Sequence, residues 1–167
     1  MNINTLEEGG QVKKYHVAIL SNAGTSASPS WIQISKSTDN TITMNAETVD
    51  RDFIVDTSAT TILDRYKPSL NEPITLFKGE EDYEFFWEKF YNMATGDDAM
   101  GEVLVVFMNE ESGDEGTTFK AWKSNATFVC SDFNPVESTL TFDINFNGTV
   151  AKGTATVTEG VVSFTAA

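Results

Sequence analysis

Residues 139–155, TLTFDINFNGTVAKGTA, decide how this chain is read. The first half alternates strictly, with Leu140, Phe142, Ile144 and Phe146 on one side of an extended strand and Thr141, Asp143 and Asn145 on the other. Asn147-Gly148 follows, a pair that tolerates the positive φ of a type I′ turn. A two-residue loop at that point sets Phe146 opposite Thr149, Ile144 opposite Ala151, Phe142 opposite Gly153 and Leu140 opposite Ala155. Bulky residues then face small ones, which suits a tightly packed face. A hairpin turning at Asn147-Gly148 is therefore expected.

Outward from this stretch the strand signals continue. The first apolar run is residues 15–20, followed by a small polar loop, SNAGTSASPS, over residues 21–30. Residues 31–35 and 41–44 alternate briefly on either side of Asp39-Asn40, the signature of a hairpin. Residues 53–55, 60–63 and 74–77 are β-branched or aromatic runs, with Pro68 and Pro73 among the breakers between them. Residues 103–108, VLVVFM, form a continuous apolar run, as expected of a strand covered on both faces. One segment has a different period. In EDYEFFWEKFYNMATG, residues 81–96, the apolar residues Tyr83, Phe86, Trp87, Phe90, Tyr91 and Ala94 recur every three or four positions. Glu80, Glu81 and Asp82 favour the positive end of the helix dipole, and Gly96 supplies a stop. The spacing predicts one helix over about residues 81–95 whose aromatic stripe packs on a sheet. The fold class is mainly β: an antiparallel β-sandwich with one flanking α-helix.

The chain has 167 residues, 18.4 kDa, and reads as a single domain over 1–167, with a flexible arm at 1–14 and a tail at 159–167. Net charge is −14, with 11 basic against 25 acidic residues. That balance argues against a protein that grips nucleic-acid phosphates or docks on anionic lipid, since both need a clustered basic face. The polar N-terminal stretch does not read as a signal peptide, and no apolar run approaches a membrane span, so a soluble protein made in the cytoplasm is expected.

The chemistry of an enzyme is hard to assemble from these residues. The sequence has one His (His16) and one Cys (Cys130), no GxSxG elbow, no phosphate-cradling glycine motif, no HExxH and no CxxC. His16 reads as a strand or surface residue and Cys130 as a small buried hydrophobe. Acidic clusters occur at Glu80-Glu81-Asp82, at Asp97-Asp98 with Glu102, and at Glu110-Glu111 with Asp114-Glu115. They fit no calcium-ligand register, place no carboxylate pair for a hydrolase, and read as solvated charge. No catalytic residue, metal or cofactor is expected. The tripeptides at Asn125 and Asn147 match a glycosylation acceptor by chance in this reading.

The order of the segments carries a resemblance. SWIQISKSTDNTITMNAETVDRDFIVD (30–56), TTILDRYKPSLNEPITLFKG (60–79), the acidic aromatic helix and FNPVESTLTFDINFNGTVAKGTATVTEG (133–160) together resemble the major tail tube proteins of long-tailed, siphovirus-type bacteriophages, those of Gram-positive hosts most of all. The resemblance spans roughly residues 15–160 and rests on the succession of segments. It implies a β-sandwich with one helix and a long hairpin used in oligomerisation. Homo-hexameric rings would stack into a hollow tube in the virion tail, assembled in the host cytoplasm. The partners would be a tape-measure protein and tail-tip and tail-terminator proteins, with double-stranded DNA passing through the lumen during ejection. Within residues 32–66, where the lumen hairpin is expected, Glu47, Asp50, Asp52, Asp56 and Asp64 are candidate wall acids, and Arg51 and Arg65 candidate intersubunit ion-pair partners. Two alternatives stand beside it. One is a monomeric carbohydrate-binding or adhesin-like sandwich using Trp31 or Trp122 as a stacking platform. The other is the tube subunit of a contractile tail or related secretion apparatus.

Overall fold

The computed structural model describes residues 1–113 and 116–167. Strand accounts for 53% of the chain and helix for 11%, so the class is mainly β, in keeping with a β-sandwich. The elements run β1 (Val17–Asn22), β2 (Trp31–Gln33), β3 (Ile42–Thr43), β4 (Ala46–Arg51), β5 (Thr60–Tyr66), β6 (Ser69–Thr75), α1 (Glu81–Tyr91), β7 (Met100–Glu111), β8 (Thr118–Asn134), β9 (Thr139–Thr158) and β10 (Val161–Ala166). One antiparallel sheet of eight strands has the order β2-β1-β7-β8-β9-β6-β3, with β10 also on β9, and β4-β5 form a separate two-stranded ribbon. The hairpin expected of residues 31–35 and 41–44 does not form: β2 pairs with β1 and β3 with β6, at opposite ends of the sheet.

The hairpin expected at Asn147-Gly148 is not there. β9 runs through both residues as one 20-residue strand and stays paired with β8 from end to end. Its register with β8 shifts between the Lys123–Ala151 and Asn125–Asn147 pairs, and Gly148, at φ 70°, absorbs the extra residues as a bulge. The left-handed conformation foreseen for a turn is used instead to bend a long strand. The hairpin falls at Glu159-Gly160, φ 51° and 83°, between the paired residues Thr158 and Val161. The C-terminal residues are accordingly not a loose tail: β10 pairs with β9 from Val161 to Ala166 and buries Val162. Because β9 bends, β6 pairs with its first half and β10 with its second.

Two apolar clusters lie on opposite faces of the sheet. Ile19, Val103, Val105, Phe128, Phe142, Ile144, Leu70 and Ile74 belong to one; Ala18, Leu20, Leu104, Val106, Met108, Phe119, Val157 and Val162 belong to the other. The alternation along β1 and β7 explains the unbroken run at 103–108, where Val103 through Val106 are fully buried. Met1 packs against the second cluster, and its amino group donates to Gly160 O at 2.9 Å, so the N-terminal arm is laid on the sandwich at its outset.

Helix α1 covers the first cluster. Phe86 is fully buried, with ring centroids 4.9 Å from Phe142 and 6.0 Å from Phe128, and Phe90 lies 4.9 Å from Phe133. The aromatic stripe packs on the sheet as its period implies, although the helix stops at Tyr91, which is exposed. Met93, at φ 46°, turns the chain ahead of Gly96. Asp82, expected to be a solvated acid, is buried. Its Oδ2 accepts from Ser35 N (2.9 Å), Lys36 N (3.0 Å) and Ser35 Oγ (3.2 Å), which ties the first turn of α1 to the chain leaving β2.

Candidate assembly interface

The β4-β5 ribbon is an arm. Every residue from 48 to 67 is exposed, including Val49, Phe53, Ile54, Val55, Ile62, Leu63 and Tyr66. Its strands pair only with each other, so both outer edges carry unpaired backbone donors and acceptors. An isolated two-stranded ribbon is marginal in water. Its base is clamped by Asn45, whose side-chain amide donates to Lys67 O (3.0 Å) and Ser69 Oγ (2.9 Å) and whose φ of 45° starts the turn into β4.

The structure separates the expected wall acids into three places. Glu47 and Arg65 are opposite one another at the base and form an ion pair, with Lys67 on the other oxygen of Glu47. The hydrogen bond from Lys67, then that from Arg65, holds the Glu47 carboxyl below its usual range, and Glu47 raises the Arg65 guanidinium. Arg65 is thus already engaged within its own chain. Asp64 is the extra residue where the register shifts between Glu47 and Thr48, and it lies 3.8 Å from Arg65 Nε. Asp50 stands mid-strand opposite Thr61, whose hydroxyl donates to it at 2.7 Å. Arg51 projects from the other face of the ribbon, by the alternation of the strand. Asp52 and Asp56 flank the apolar tip Phe53-Ile54-Val55, closed by Asp56 N donating to Phe53 O at 2.9 Å.

Other residues singled out in the sequence take different places. His16 is buried, with 3% of its surface exposed, and its Nδ1 accepts from Lys13 N at 3.0 Å. Cys130 is exposed rather than a buried hydrophobe, although it pairs with the buried Phe142 just ahead of the register shift in β8. Glu102 is buried and pairs with Lys123 (3.0 Å) and with the Asn22 amide (2.7 Å). Asn22 Oδ1 in turn accepts from Gly24 N and Ser30 N, both at 2.9 Å, and so closes the small polar loop. Glu110 pairs with Lys120, whereas Asp114 and Glu115 lie outside the described residues. Among the described residues, no group of three or more His, Cys, Asp or Glu side chains is placed to hold a metal ion. Neither tryptophan offers a free platform. Trp122 stands edge-on to Phe107 at 5.0 Å, and Trp31 packs on the second cluster.

What sequence reasoning missed is the Asn45 clamp, the Lys67 contribution to the ion-pair cluster, and the apolar character of the arm. An exposed Val49–Ile62 pair has the same local signature as a core pair.

No family model matches the chain, and no curated protein matches it in sequence. Its fold does match solved structures. A tail protein of an empty GTA particle, determined with C6 symmetry, aligns over 93% of this chain and 100% of its own at a TM-score of 0.56 and 16% identity. The tube-terminating cap of the anti-feeding prophage aligns over 97% and 95% at 0.51 and 9% identity. The sheath/tube terminator of the PVC extracellular contractile injection system aligns over 87% and 99% at 0.50 and 10% identity. The structural neighbours are tail tube and terminator proteins of phage tails and contractile injection systems, and at these identities the likeness is one of fold.

Proposed function

We propose that this chain is a structural subunit that assembles with copies of itself into hexameric rings, stacked as the hollow tube of a bacteriophage tail. The observation that carries this reading is the arm, a ribbon with two open edges and an apolar surface that its own domain leaves bare. In a ring, the open edge of one arm pairs with that of its neighbour, and the liability of a free edge becomes the means of closure. Asp50, Asp52, Asp56 and Asp64 line the bore, while Arg51, on the face away from Asp50, pairs with an adjoining copy. Glu47, Arg65 and Lys67 brace the base. An acidic bore offers no cationic trap to passing double-stranded DNA. Tape-measure, tail-tip and terminator proteins are the partners of such a tube, in a virion tail put together in the host cytoplasm. The siphovirus-type tail of a phage of a Gram-positive host is the setting proposed.

Negative-stain electron microscopy of purified protein across a concentration series, with and without residues 48–63 replaced by a short glycine linker, tests this. Hollow rings or tubes that vanish with the arm support it. Assembly that survives loss of the arm overturns the role given to the ribbon, and a strict monomer even with tail-tip components overturns the tube. The presence of contractile injection systems among the fold neighbours favours one second reading, a tube or terminator subunit of a contractile apparatus. Binding of a sheath protein to the assembled rings distinguishes it.

A further inference from the structure

Leu70, Glu72 and Ile74 share the inward face of β6, and all three are buried, Glu72 with 0% of its surface exposed. Its partner across the ladder is Phe142, in the heart of the first cluster. Among the described residues, neither carboxyl oxygen of Glu72 has a hydrogen-bond partner. Above it lies a strap of chain. Ser37 bridges to Ile74 and Ile42 pairs with Leu70, so residues 38–41 span the stretch opposite 71–73 with one residue too many. The strap satisfies itself: Ser37 Oγ donates to Asp39 O (2.8 Å), and Thr41 N and Oγ1 donate to Asp39 Oδ1 (2.8 and 2.6 Å). It is tied down by little, namely Thr38 N to Pro73 O (3.4 Å), Thr75 N to Lys36 O (2.9 Å) and the Asn40 amide to Val17 O (3.5 Å).

No cation is set against this carboxyl among the described residues. On the strap, Asp39 is itself acidic, and Lys36 reaches toward Glu80 at 3.9 Å. On β9, Asp143 takes the Asn71 amide at 2.6 Å on the other face of the sheet. Asp82 of α1 is saturated by Ser35 and Lys36, and His16 ahead of β1 takes Lys13 N. Burial pushes the Glu72 carboxyl up to about 7; the nearby Ser37 hydroxyl opposes this, and the Asp39 charge adds to it.

We propose that Glu72 is a pH-operated latch beneath the 37–41 strap. Protonated, the carboxyl lies in the core and the strap stays shut; ionised, it draws water and lifts the strap from β6. Because the strap runs directly into β3 and the Asn45 clamp, its release loosens the first attachment of the arm. The latch is a property of the single chain and stands apart from the tube reading.

Amide hydrogen exchange of the isolated protein, followed at Thr38 and Thr75, reads the latch, with the Glu72 carboxyl titrated alongside by carbon NMR. If the open strap restores the ordinary value of 4.5, protection at both amides falls about 30-fold between about pH 5.5 and about pH 8.5. It stays level over that range in Glu72→Gln. Persistence of the fall in Glu72→Gln, or constant protection in the parent chain, overturns the proposal. Should the variant fold poorly, the parent chain alone decides. Loss of strap protection must share its midpoint with the Glu72 titration, and a Glu72 midpoint below about 5 overturns the latch.

Discussion

Replacing Asp82 by alanine removes the tie between α1 and the chain leaving β2. Its Oδ2 is the acceptor for two backbone donors, Ser35 N and Lys36 N, and for the Ser35 hydroxyl. Hydrogen bonds to a charged acceptor contribute about 1.5–3 kcal/mol each, and a buried donor left without a partner costs about as much. Ser35 and Lys36 sit where burial is only partial, so water replaces part of what is lost, and the two backbone bonds together come to about 3 kcal/mol. For a chain of 167 residues this corresponds to a fall in Tm of about 6–12 °C. Asp82→Asn retains one acceptor oxygen and is expected to lose about half as much. Urea denaturation followed by circular dichroism, with equal m-values for all three proteins, gives the comparison. If Asp82→Ala costs less than about 1 kcal/mol, or if alanine and asparagine are equivalent, the tie is not what seats the helix.

Three further outcomes are expected. The Glu72 carboxyl ionises at about 7 in the folded chain against 4.5 unfolded, so its contribution is full below pH 4.5, declines as pH rises to about 7 and is flat above. Glu72→Gln is therefore more stable than the parent at about pH 8.5 by up to about 3 kcal/mol and loses this advantage toward about pH 4.5, which paired urea titrations at the two values would show or deny. Asn45→Ala releases the arm without unfolding the sandwich: trypsin cleaves sooner at Arg51 and Arg65, while the midpoint of global unfolding moves by less than about 1 kcal/mol. Cys130 reacts stoichiometrically with a thiol reagent in the native protein, and a thiol modified only in denaturant would contradict its exposed position.

The sequence made the class of fold legible and misplaced one of its main turns. Period is what hydrophobic patterning reports, and the period of two in residues 140–146 is real: Leu140, Phe142, Ile144 and Phe146 are all buried on one face. Asn147-Gly148 reports only that a positive φ is tolerated. A two-residue turn and a bulge in a long strand both use that tolerance, and the choice is made by β8, whose pairing resumes beyond the bulge and carries β9 on past residue 148. Glu159-Gly160, expected in a loose tail, became the turn because β10 has an open half of β9 to pair with. Asp82 illustrates the same limit. A first-turn acid reads as a dipole partner, and only the arrival of Ser35 and Lys36 in space makes it a structural clamp.

The arm shows why the candidate site was legible as a segment and not as residues. The resemblance implies a hairpin within 32–66, but neither it nor the charge pattern fixes which acid is free. Glu47 is spent on Arg65 and Lys67 because a register shift at Thr48 brings residue 65, not 64, opposite it. Had the ladder run without the shift, Asp64 would have faced Glu47 across the ribbon, two like charges in direct opposition, which destabilises a strand pair. The bulge exchanges that repulsion for an ion pair and leaves Asp64 displaced beside Arg65. Arg51 is then the one arginine of the arm without a partner in its own chain among the described residues. It shares an arm with the exposed Val49, Ile62 and Leu63. A sandwich that buries both faces of its sheet and yet leaves a charged, apolar ribbon bare has its body complete and its arm unfinished. What finishes a ribbon with two free edges is another strand, and in the ring proposed above identical arms supply one to each other.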